Sequence, residues 1–203
     1  MSAPWVTGGR VWSRVVERHV ASALLHGASE EAAARAMRSC MRTWRVACET
    51  LGPASGATGV WEHLMRPCAE ALGWAPQRDI AVSLGGVPMR VAEATLGPAR
   101  QLIVAMPWGL AHEGLQRAAT RLGAVRDTRW VPACNGQSWR WYDASRPYAR
   151  EHMAIDLAHA SIDARVWQAL WLLGQPVRSV RSARAPAKEL LNEALCGKEM
   201  IGL

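Results

Sequence analysis

Two carboxylates, Asp79 and Glu93, fall on strand-forming stretches near the middle of a chain of 203 residues. A Mg²⁺-dependent nuclease uses paired acids on sheet strands to hold its ion, with a lysine to orient or activate the attacking water. Asp79 and Glu93 are therefore the candidate catalytic acids and metal ligands, with Mg²⁺ as the cofactor if the chain is active. The lysine is missing. Residues 101–106, the third strand of the region, hold neither acid nor lysine, and the first lysine anywhere is Lys188. Arginine does not stand in for it, because a guanidinium stays protonated and shuttles no proton. The six histidines, at 19, 26, 63, 112, 152 and 159, form no H-x-x-x-H or H-E-x-x-H pair. The five cysteines (Cys40, Cys48, Cys68, Cys134, Cys196) include no C-x-x-C. That pattern argues for a reducing cytoplasm and against a zinc ribbon or disulfide scaffold. Gly85 and Gly86 lie between two strands, the wrong context for a phosphate loop.

Arginine offers the other chemistry. The chain carries 24 basic residues against 17 acids, a net charge of +7, and only Lys188 and Lys198 among the basic ones are lysine. Such a balance suits a polyanionic partner, and a GC-rich coding sequence produces the same bias. The surplus concentrates in residues 117–150, where Arg117, Arg121, Arg126, Arg129, Arg140, Arg146 and Arg150 face only Asp127 and Asp143. These seven arginines are the candidate nucleic-acid contacts, by phosphate pairing with aromatic stacking nearby. On a strand, Trp139, Trp141 and Asp143 point one way, and Arg140 and Tyr142 the other. The pattern favours a plain core face for the two tryptophans. A second stripe, Arg35, Arg38, Arg42 and Arg45, follows helical spacing beside an apolar stripe of Ala34, Met37, Met41, Trp44 and Cys48. An amphipathic helix with a solvated arginine face is the favoured reading there, ahead of a phosphate-facing one.

The elements that must position these residues follow from periodicity. Residues 1–50 read as helical: a first helix through Trp12, Val15, Val16, His19, Val20 and Ala23, then a second capped by Ser29 with Glu30 and Glu31 in its first turn. A loop at 51–56 leads to a third helix with Trp61, Leu64, Met65, Cys68 and Leu72 apolar, broken or kinked at Pro67. Strands are expected at 79–84 and 87–95, and again at 102–106, whose continuous apolar run suits a doubly buried centre. Residues 112–122 form an amphipathic helix. Residues 128–134 form a strand whose Pro132 fits an edge or bulge. Asn135-Gly136 is a strong hairpin signal returning through 138–142. Helix is expected again from about 151 to 173, with His152 and His159 as surface or capping residues. Beyond Gly174 lies a basic linker with a short helix near 190–195.

The expected class is α/β, a mixed sheet of three strands, a helix and two strands flanked by helices at both ends. It divides into N-terminal helices (1–50), a core (51–174) and the basic tail (175–203). The longest apolar stretch, residues 102–111, contains Pro107, so no bilayer span is expected. No basic region followed by an apolar one opens the chain, so no secretory signal is expected either. Tryptophan, at 11 copies with no phenylalanine, must do core packing that Phe does elsewhere.

Against this background a resemblance emerges. The run Ala124-Val125-Arg126-Asp127-Thr128-Arg129-Trp130-Val131-Pro132-Ala133-Cys134-Asn135-Gly136 continues through Trp139-Arg140-Trp141-Tyr142-Asp143, Arg146-Pro147-Tyr148-Ala149-Arg150 and Ile155-Asp156-Leu157. It resembles the N-terminal half of type IIS/IIG restriction-modification enzymes, with a W-V-x-x-x-N-G, W-R-x-x-D, Y-A-R, D-L pattern. Leu51-Gly52-Pro53-Ala54-Ser55 with Pro67 and Leu72-Gly73, and Met106-Pro107-Trp108-Gly109, resemble other parts of that region. The likeness spans residues 50–173. It implies a restriction-endonuclease-like fold (helix, three strands, helix, strand), double-stranded DNA as partner, and an adenine-specific methyltransferase as the following domain or a separate subunit. Two departures stand out: the acid-x-lysine expected on the third strand is absent, and so is an N-P-P-Y methyltransferase motif.

The expectation is a DNA-associated, catalytically degenerate nuclease-fold module of a restriction-modification or phage-defence system. Two alternatives stand beside it: an active Mg²⁺ endonuclease using Asp79 and Glu93, and a structural or homodimerising domain whose arginines reflect codon bias.

Overall fold

A computed structural model of the chain describes residues 5–8, 30–84, 86–113, 115–126, 128, 130–144 and 152–160. Strand β1 (Trp5–Gly8) is followed by helix α1 (Glu30–Thr50). Helix α2 begins as Ala57–Val60, widens into a π turn at Trp61–Met65 and continues as Arg66–Ala71. Three strands follow, β2 (Ala75–Leu84), β3 (Val87–Leu96) and β4 (Ala99–Ala105), then helix α3 (Leu115–Val125). The chain returns through β5 (Trp130–Cys134), β6 (Ser138–Asp143) and β7 (His152–Asp156), with a single helical turn α4 (Leu157–Ala160).

The seven strands make one mixed sheet, ordered β1-β7-β6-β5-β4-β3-β2. Among the described residues the one parallel pair is β4 with β5, joined by α3, and the other neighbouring strands are antiparallel. Hairpins can link antiparallel neighbours, whereas a parallel pair needs a crossover, which is the role of α3. The meander, crossover helix and returning hairpin expected from the sequence are therefore present. Residues 101–106 are all buried, and β4 sits between β3 and β5, as a continuous apolar strand should.

Each face of the sheet carries its own core. Helices α1 and α2 cover one face, where Trp61, Leu64, Met65, Cys68 and Trp74 pack on Ala92, Ile103, Trp139, Trp141 and Ile155. Helix α3 covers the other through Leu115 and Ala119, against Val91, Leu102, Val104, Val131 and Tyr142. Trp139 and Trp141 stack at 5.6 Å between ring centroids and 11° between planes. They are core residues, as the alternation suggested.

Local chemistry explains several details. Pro67 cannot donate to the carbonyl four residues back, and the π turn just before it lets the helix continue instead of breaking. Gly123 lets α3 lie against the sheet: a Cβ there would stand 2.4 Å from the Ala144 Cβ and 2.7 Å from the Thr128 carbonyl. Gly136 adopts φ +82° in the β5–β6 turn, and its missing Cβ makes room for the Trp108 ring.

Four expectations need correction. Trp5–Gly8 is a strand paired with β7, not part of a helix. Residues 152–156 are likewise strand, so His152 sits on a sheet beside Tyr142 instead of capping a helix. The alternating register of β6 with β7 overrides the helical spacing that the segment also shows. Pro132 lies in an interior strand, which it tolerates for a specific reason. Asn135 donates to Ser138 of β6, so alternation turns the nitrogen of residue 132 toward β4, ahead of the ladder that pairs only Val104 with Ala133 and Ala105 with Cys134. Finally, Cys48 is exposed and the buried line of α1 runs through Ala36, Cys40 and Ala47, with Met37, Met41 and Trp44 packed beside it. The expected first helix near 12–23, the stretch 161–173 and the basic tail lie outside the described residues.

Candidate nucleic-acid interface

Arginines gain a function only where the fold leaves them in solvent without an acid. Helix α3 presents Arg117 and Arg121 four residues apart, both exposed and neither in an ion pair among the described residues. Arg126, just past its end, donates from Nη1 to the Glu93 carboxylate at 2.7 Å. Arg140 is largely sunk on the α3 face of β6, with side-chain exposure of 24%, its Nε lacks a hydrogen bond, and Glu113 lies 3.9 Å from Nη2. Arg129, Arg146 and Arg150 lie outside the described residues. Of the four described arginines among the seven proposed from the sequence, the structure thus leaves Arg117 and Arg121 open to a polyanion.

The other basic surface is on α1. Arg35, Arg38, Arg42 and Arg45 are all exposed, and among the described residues only Arg35 has an acid partner, Glu31 at 2.8 Å. The helix is held from behind by buried Cys40 and Ala47 and by the Trp44 indole, which donates to the Gly136 carbonyl at 3.1 Å. Since α1 and α3 cover opposite faces of the sheet, the two arginine groups face opposite sides of the molecule.

The candidate metal ligands do not come together. Asp79 pairs with Ala92 in the β2–β3 register, and Ala92 belongs to the core under α1 and α2. Glu93, one residue on, must therefore point to the opposite face, where Val91 packs under α3. Each acid is also engaged by a guanidinium: Asp79 by Arg90 at 3.1 Å, Glu93 by Arg126. Among the described residues no three of His, Cys, Asp or Glu converge as metal ligands. The donor set does not fit a Mg²⁺ ion shared by Asp79 and Glu93. Glu93 and Arg126 instead rim a groove of about 250 Å³ whose apolar wall includes Val91, Leu102 and Leu122.

One cluster escaped sequence reasoning. His112, in the β4–α3 loop, is 3% exposed and lies over β6, with Nδ1 3.0 Å from the Tyr142 hydroxyl and Nε2 3.0 Å from Ser138 Oγ. Ser138 Oγ in turn donates to Asn135 Oδ1 at 3.2 Å, and Asn135 Nδ2 donates to the Leu110 carbonyl at 2.8 Å. Reading this chain from Asn135 assigns the proton: Ser138 spends its hydrogen on Asn135 and accepts from His112 Nε2–H, so Nδ1 accepts from Tyr142. The imidazole is neutral. Burial, with the Arg140 charge second, lowers its pKa from 6.5 to about 4. Burial likewise raises the Tyr142 hydroxyl to about 12. The cluster pins the β4–α3 loop to the β5–β6 hairpin. No spacing signal could have announced it, since His112 lies 26 and 30 residues from its two partners.

No helix among the described residues is long and apolar enough to cross a membrane. Comparison with protein-family models, with curated proteins and with solved structures returns no match to this chain.

Proposed function

We propose that this chain is a nuclease-fold module of a restriction-modification or phage-defence system, that it associates with double-stranded DNA, and that it works without an orthodox catalytic set of its own. The order of elements carries the reading. Helix α2, the antiparallel strands β2, β3 and β4, the crossover α3 and the parallel strand β5 follow one another as the resemblance to type IIS/IIG enzymes implies for a restriction-endonuclease-like core. Strand β4, which would carry the acid-x-lysine of a cutting member, reads Ala-Arg-Gln-Leu-Ile-Val-Ala. The separation of Asp79 and Glu93 on opposite sheet faces speaks against the alternative of a Mg²⁺ endonuclease built on that pair.

In this reading the module docks its partner enzyme onto DNA by neutralising phosphates, and a methyltransferase domain or subunit supplies the chemistry. Phosphate contacts release counterions, so the affinity must fall steeply with salt. Fluorescence anisotropy of a labelled duplex, titrated with the chain across a salt series, tests it. A linear fall of log affinity with log salt is expected. A flat, weak curve, with the chain sedimenting as a dimer, would favour the structural-domain alternative and remove the DNA reading.

A further inference from the structure

We infer that the outward face of α1, through Arg38, Arg42 and Arg45 with Arg35 at its upper end, is the surface that tracks a DNA phosphate backbone. The inference rests on the proposed DNA association and assigns it to one side of the molecule.

Four observations lead there. The four guanidiniums recur at spacings of three, four and three on one exposed arc of a helix of 21 residues. From Arg35 to Arg45 that arc is about 15 Å long at the α-helical rise. The same length of duplex axis presents roughly four phosphates per strand. Second, Arg38, Arg42 and Arg45 have no acid partner among the described residues. Arg45 reaches only the Met41 sulfur at 3.9 Å, and the remaining acids of the face, Glu31 and Glu49, stand at its two ends. Like charges three and four residues apart repel along a helix, and no acid among the described residues pairs with Arg38, Arg42 or Arg45 to relieve that repulsion. A row of phosphates would.

Third, the stripe is presented rigidly. Cys40 and Ala47 are buried behind it, and Trp44 is hydrogen-bonded to the β5–β6 turn. A phosphate-contacting helix needs such backing, because flexible presentation adds an ordering cost to every contact. Fourth, the alternatives are weaker. On the α3 side Arg117 and Arg121 are the unpaired exposed arginines among the four described of the seven singled out there. Arg126 is held by Glu93, and Arg140 is half-buried against the sheet with Glu113 beside it. Because α1 and α3 lie on opposite faces, one straight duplex engages one of them.

The test compares three multiple variants with the parent chain by anisotropy of a labelled 20-base-pair duplex between 50 and 200 mM salt. They are Arg38→Gln/Arg42→Gln/Arg45→Gln, the same three changed to Lys, and Arg117→Gln/Arg121→Gln. Losing three phosphate contacts lowers the slope of log affinity against log salt by about 2.7. The glutamine triple variant should therefore lose about 40-fold less affinity across that range than the parent does. The lysine triple variant keeps the charge and should keep the slope. The α3 double variant should match the parent. All positions are exposed, and circular dichroism checks that each variant is folded. A parent that binds with a steep slope retained by the glutamine triple variant overturns the α1 assignment alone. A parent with no salt-dependent affinity for the duplex overturns the DNA association itself, and with it this surface.

Discussion

Acid should weaken this fold through one identifiable side chain. His112 is neutral and buried in the native state, with a pKa lowered to about 4, whereas in the unfolded chain it titrates near its ordinary 6.5. Between those two values the unfolded chain holds a proton that the folded one refuses. Stability is therefore complete above about pH 6.5 and drains away as the pH falls toward 4. Integrating the linkage between pH 7 and pH 4 assigns a loss of about 3 kcal/mol to His112, at up to about 1.4 kcal/mol per pH unit. Carboxylates titrate over the lower part of this window, so the measurement is a difference. Urea unfolding of the parent and of His112→Gln, followed by tryptophan fluorescence at pH 7, 6, 5 and 4, isolates the histidine. At pH 7 the variant should be less stable by about 2 kcal/mol, for one or two lost buried hydrogen bonds. The two curves should then converge and cross toward pH 4. Parallel curves across the whole range would refute the reasoning, as would an NMR titration that places the His112 ring near 6.5.

Other perturbations test neighbouring claims. Tyr142→Phe removes the donor to His112 Nδ1 and should cost about 1–2 kcal/mol in urea unfolding while leaving the far-UV spectrum unchanged. Gly136→Ala forces a Cβ into the Trp108 ring at a positive φ, and should cost on the order of 3 kcal/mol, seen as a fall in Tm of roughly 6–12 °C. Arg126→Ala breaks an ion pair whose two side chains are 53% and 43% exposed, so its effect on stability should stay below about 1 kcal/mol in the same assay. Because Asp79 and Glu93 lie on opposite faces, millimolar Mg²⁺ should leave the Tm of the parent, Asp79→Ala and Glu93→Ala unchanged. A saturable rise lost in both variants would show that they share an ion after all.

Much of the architecture was legible in the sequence because it depends on local pattern. The continuous apolar run at 102–106, the alternation of Trp139 and Trp141, the Asn135-Gly136 turn and the amphipathic spacing around Leu115 and Ala119 each report their own environment. Together they yield three strands, a helix and two strands in the right order. Strands β1 and β7 were missed because Trp5–Gly8 pairs with His152–Asp156. A partner nearly 150 residues away decides the strand, and local pattern along either segment carries no sign of it. The arginines divide in the same way. Sequence established that the basic residues are abundant, clustered and almost all arginine. Only the tertiary structure decided that Arg126 is taken by Glu93, that Arg140 is half-buried against the sheet, and that Arg38, Arg42 and Arg45 stand in solvent without an acid partner among the described residues. The candidate acids show most clearly why. Asp79 and Glu93 both sit on strands, but a strand has two faces, and which one a residue takes is settled by the register with its neighbour. Periodicity supplies the alternation, and the packed sheet supplies its phase.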